Sequence, residues 1–152
     1  MKIKTLFGIL LTIILLLLVG SVLYDSFSTP HTVKVCDAKF LLPEGYKDDG
    51  INKFGALTLT NGKNPIYILG HDDSNINKYI SEYERVVKNK NETMTIENTT
   101  INNTIVYKTN NINNPDVTHV WFVKNGDTYE IYKFDNNPEF DSLVSYLINH
   151  MT

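Results

Sequence analysis

Residues 117–134 read "VTHVWFVKNGDTYEIYKF", and the Asn125-Gly126 pair at their centre constrains the chain more than any other feature. Asn-Gly suits the left-handed backbone angles of a two-residue hairpin turn, and strand-forming residues flank it on both sides. A two-residue loop leaves one register: Phe122 faces Tyr129, Val120 faces Ile131, Trp121 faces Glu130 and His119 faces Tyr132. One face then carries Val120, Phe122, Tyr129 and Ile131, and the other Val117, His119, Trp121, Tyr132 and Phe134. A sheet wetted on one side is polar at alternate positions. This hairpin is apolar on both sides, so both faces need a cover.

Two amphipathic helices can supply it. In "DDSNINKYISEYERVVKNK", Ile76, Tyr79, Ile80, Tyr83, Val86 and Val87 recur at helical spacing. Asp73 or Ser74 can cap this helix, and Glu84 with Lys88 forms a supportive pair four residues apart. The closing "NNPEFDSLVSYLINHM" sets Phe140, Leu143, Val144, Leu147, Ile148 and Met151 on one stripe. There Asn137 is the cap, Pro138 the first helical residue and Glu139 a favourable charge at the positive end.

Further strands are "TVKVC", the extended Phe40–Leu42 stretch, "ALTLT", "IYILG", "TMTIE" and "TIVYK". In "FLLPEGY", Pro43 ends a strand because it fixes φ and donates no hydrogen bond. Gly45 permits the turn, and Tyr46 folds back over the core edge. About four strands, a helix, four strands and a helix make an α+β domain: a largely antiparallel sheet with one helix on each face.

Ahead of this domain, Thr5–Tyr24 is an uncharged run of 20 residues preceded by Lys2 and Lys4. As a helix it spans roughly 30 Å, the thickness of a bilayer's hydrocarbon core. The lysines place Met1 in the cytoplasm and the rest of the chain outside. The expected organisation is a transmembrane anchor over 1–24 in contact with lipid through 5–24, a linker over 25–30, and an extracytoplasmic domain over 31–152. A cleaved signal peptide is the competing reading, although no Ala-x-Ala site follows the run.

Residues 31–152 carry 12 basic and 16 acidic residues, a balance that argues against a nucleic-acid partner. The single cysteine, Cys36, cannot close a disulfide within the chain, so the domain must fold on its core alone. Sequons fall at Asn91, Asn98 and Asn102, but an asparagine-rich chain produces about three by composition.

The Phe40, Leu42, Pro43, Gly45, Tyr46 turn and the order of elements from about 32 to 150 resemble the PsbP-like fold. That family is named for an extrinsic photosystem subunit and includes small membrane-attached bacterial proteins. The resemblance implies an antiparallel sheet sandwiched by helices, serving assembly or binding without catalysis. Tyr46 stands where many relatives have Trp, and no functional residue carries over.

Two clusters could hold chemistry. His71, Asp72 and Asp73 in "GHDDS" offer metal-ligating groups, unless the two aspartates simply charge the start of the helix. His119, Trp121, Glu130 and Tyr132 share one sheet face, where a His and a Glu can act as acid and base or line a ligand cleft. Cys36 reads as a small residue in a strand. The chain has no nucleophile elbow, phosphate loop or paired-cysteine motif, and no cofactor is expected. These features favour a non-enzymatic domain that binds a ligand or an envelope protein. The alternative is a membrane-tethered hydrolase or metal-dependent enzyme using His71, Asp72 and Asp73, or His119 with Glu130.

Overall fold

The computed structural model describes residues 12–17, 19 and 31–152. Residues 12–17 and 19 are helical. Most of the expected anchor over 5–24 lies outside the described residues. Among those described, no helix is long and apolar enough to cross a membrane. His31–Thr152 forms a compact unit of its own.

That unit contains β1 (Thr32–Val35), β2 (Ala38–Leu41), β3 (Lys47–Ile51), β4 (Leu57–Thr60), β5 (Ile66–His71), α1 (Ile76–Asn89), β6 (Met94–Ile101), β7 (Thr104–Asn111), β8 (Thr118–Lys124), β9 (Asp127–Lys133) and α2 (Phe140–Asn149). Seven strands form one antiparallel sheet in the order β3-β4-β5-β9-β8-β7-β6, and β1 and β2 pair as a separate hairpin. The central β8–β9 hairpin has the expected register, with Phe122 opposite Tyr129, Val120 opposite Ile131, Trp121 opposite Glu130 and His119 opposite Tyr132. Asn125 and Gly126 take φ of 54° and 94°, the positive angles that a two-residue turn requires.

Each face of the sheet is covered. Leu59, Ile68, Ile131, Tyr129, Phe122 and Val120 form the inner face of the main core, beneath α2 and the β1–β2 hairpin. The α2 stripe, Phe140 to Ile148, is buried there, and Met151, beyond the helix, is buried in a bridge to Phe40 rather than on the helix as its spacing suggested. Phe40 meets Tyr129 edge to face with ring centroids 5.6 Å apart. The chain end also docks on β2: Lys39 and Thr152 exchange backbone hydrogen bonds of 2.7 and 3.0 Å. On the opposite face α1 lies over β8 and buries Ile80 and Val87.

The structure departs from expectation in four places. Five strands, not four, precede α1. The extra one, β3, is exposed at every residue, so no apolar alternation marks it. Asn75, not Asp73 or Ser74, caps α1, with its side chain accepting from the Lys78 N–H. Glu139 occupies the cap position of α2 without a side-chain bond, while Asn137, two residues earlier, accepts from the Glu139 N–H. Cys36 lies beyond β1, at the hairpin turn, with φ of 50°.

Candidate functional site

Alternation along β5 decides the fate of the His71–Asp73 cluster, because successive side chains point to opposite faces. His71 lies on the α1 side and stacks on Tyr79 with centroids 3.7 Å apart. Burial pushes its pKa below the ordinary imidazole value. Asp73 accepts from the Tyr79 hydroxyl at 2.6 Å and from the Asn75 N–H at 2.8 Å. The Tyr79 bond holds the Asp73 carboxyl below its usual range and pushes the Tyr79 hydroxyl up to about 12. Asp73 therefore organises the start of α1, in keeping with the structural role the sequence allowed it.

Asp72 points to the other face. There its carboxylate, the Asp127 carboxylate and the Cys36 thiol lie within 4.8 Å of one another, and no other such group of three metal-capable side chains occurs among the described residues. His71 is not part of it. Burial and then the Asp72 carboxylate push the Cys36 thiol up to about 11, so a proton occupies the sulfur at neutral pH. Asp127 already accepts from the Tyr129 hydroxyl at 3.2 Å. No sequence signal links these three positions; only packing of the β1–β2 hairpin on β5 brings them together.

His119, Trp121, Glu130 and Tyr132 do come together, on the face beneath α1, and all four are buried. Nδ1 of His119 bonds the Glu130 carboxyl, while its Nε2 has no partner among the described residues. Tyr83 of α1 presses on the His119 ring at a centroid distance of 4.0 Å, and Tyr132 stacks at 5.1 Å. Trp121 donates its indole N–H to Thr109 at 3.3 Å. Burial pushes the Tyr83 hydroxyl up to about 12, so it stays protonated. The arrangement is a closed aromatic layer with its one acid–base pair turned inward.

The layer opens at one end. A cavity of about 390 Å³ lies beside the C-terminal half of α1, lined among others by Tyr83, Val87, Lys90, Glu92, His119 and Phe134. That volume falls within the range of small-ligand sites. Sequence reading missed this opening because Lys90 and Glu92 follow the helix stripe and have no periodicity. A larger depression of about 750 Å³ at the hairpin tips is lined by turn residues such as Asn102, Asn103 and Asn125.

No family model matches the chain, and no curated protein matches it. Among solved structures, the chain is similar to cyanobacterial PsbP (CyanoP) from Synechocystis sp. PCC 6803, with a TM-score of 0.47 and 7% identity over 76% of this chain and 85% of that one. It is also similar to a protein of Bacteroides thetaiotaomicron VPI-5482, with a TM-score of 0.42 and 8% identity over 76% of this chain but only 44% of that one. The first of these carries the name of the PsbP-like family that the Phe40–Tyr46 turn and the element order resemble, and neither brings a ligand or partner to this chain.

Proposed function

We propose that residues 31–152 form a non-enzymatic binding or assembly domain, held at a membrane through residues 5–24 and presented on its outer side to an envelope protein. The observation that supports this best is the state of His119 and Glu130. His119 and Glu130, the acid–base pair beside the cavity, are 6% and 7% exposed and bound to each other beneath α1, so only the His119 ring reaches the cavity wall. A general base must come within hydrogen-bond reach of the proton it removes. What the domain offers the outside is the rim of the adjoining cavity, where Val86 and Lys90 are exposed beside half-buried Tyr83. Aromatic walls with a few polar groups are the usual lining of binding sites.

A photo-reactive residue at Lys90, activated in intact membranes, tests this. The expected result is one adduct of defined mass that disappears when Val86→Trp fills the cavity mouth. An adduct indifferent to Val86→Trp, or none at all, contradicts the reading. The membrane part is checked separately: carbonate washing should leave the chain in the pellet, and protease added outside the cell should digest 31–152.

A further inference from the structure

The two edges of the sheet are treated differently. At one edge, β3 carries Lys47, Asp48 and Asp49, and its pairing shifts register around Gly50, whose φ is +87°. Charges and bulges of this kind keep an edge from pairing with another chain. At the other edge, β6 pairs with β7 without interruption over eight residues, from Met94 opposite Asn111 to Ile101 opposite Thr104. It has no proline and a single charge, Glu97, and its six central residues are exposed.

The outward groups of β6 follow from its turn. Asn102 and Asn103, with φ of 47° and 60°, make a two-residue loop that closes on the Ile101–Thr104 pair. In such a hairpin the closing pair is hydrogen-bonded, and so is every second pair beyond it. The Ile112 N–H bonded to the Thr93 carbonyl at 2.8 Å falls in the same series. The N–H and C=O groups of Met94, Ile96, Asn98 and Thr100 therefore face away from β7.

We propose that β6 is a docking edge for a second copy of this chain, which adds its own β6 antiparallel and joins the two seven-stranded sheets into one. The strand is complementary to itself. With Asn98 on the two-fold axis, Ile96 faces Thr100, Thr95 faces Ile101 and Glu97 faces Thr99, so no like charges meet. Shifting the axis to Glu97 sets two carboxylates opposite each other. The chosen register also brings Ile96, 49% exposed, beside the partner's Thr100, in the row that continues to the partner's Ile105, 59% exposed. Two exposed isoleucines on the α1 side thereby flank the partner's Thr100 in one row across the junction.

The test uses the full chain in detergent micelles, by sedimentation velocity and amide hydrogen exchange. The wild-type chain should dimerise, and the amides of Ile96, Asn98 and Thr100 should gain protection as concentration rises. Asn98→Pro removes one outward N–H while sparing the β7 ladder, so it should weaken the dimer at least tenfold and leave the circular dichroism unchanged. Self-association through residues 1–30 is common to both chains and cancels. Equal masses for wild type and Asn98→Pro overturn the proposal, as does a β6 edge that becomes protected only when an unrelated protein is added. A glycan found on Asn98 also overturns it, since it would occupy the axis.

Discussion

At the residue scale, burial governs the chemistry of Cys36. Cys36 has its thiol pushed from 9.0 to about 11, first by burial and then by the Asp72 carboxylate. A shift of that size leaves about 100-fold less thiolate at neutral pH, partly offset by the greater nucleophilicity of a more basic sulfur. Iodoacetamide should therefore alkylate Cys36 at pH 7.5 at least tenfold more slowly than it does free cysteine, and Asp72→Asn should raise the rate. A rate equal to that of free cysteine would contradict this account. His119 and Glu130 are buried and bonded to each other. Removing one member of a buried pair strands the other and costs about 3–5 kcal/mol, whereas replacing both with apolar groups is often close to neutral. Glu130→Leu should thus lower the melting temperature sharply, and His119→Phe in the same chain should restore most of it. If instead the two losses add, the residues are not coupled. The shared face of these residues was legible in the sequence, since hairpin register dictates it. Their closure under Tyr83 was not, because a helix stripe does not say which face of a sheet it will cover.

At the scale of elements, the β1–β2 hairpin rests tightly on β5 at Gly70. Gly70 leaves room for the turn: a Cβ built there would lie 2.4 Å from the Cys36 sulfur and 3.0 Å from a Val35 methyl. Overpacking of this kind costs typically 1–3 kcal/mol. Gly70→Ala should lower stability by about that amount in urea unfolding, and Cys36→Ala in the same chain should recover part of it. No recovery would mean that the hairpin is not what limits the site. Long elements with strong periodicity were readable: α1, α2, β5, β8 and β9 all lie where their apolar residues place them. The β3 strand was not, because a fully exposed edge needs no apolar alternation. Nor was the cap of α1, where three polar residues in a row compete and the path of the chain leaving β5 settles the matter in favour of Asn75.

At the scale of the molecule, α2 closes the core. Phe140, Leu143, Val144, Leu147, Ile148 and Met151 are all buried against the sheet and the β1–β2 hairpin. Burying each of these side chains contributes about 1.5–3 kcal/mol before the entropy of ordering the helix is subtracted, and among the described residues no other helix contributes to this core. A chain ending at Pro138 should show no cooperative thermal transition by circular dichroism; a transition near the wild-type temperature would place the core elsewhere. Local patterns alone determined the three-layer α+β plan, because alternation and helical stripes state how many faces must be covered and a two-residue turn permits one register. Which residues meet across layers was decided only by the tertiary structure: Cys36 with Asp72 and Asp127, and His119 with Tyr83. Those contacts depend on how hairpins and helices dock, and docking is set by the summed packing of many side chains that no short stretch of sequence contains.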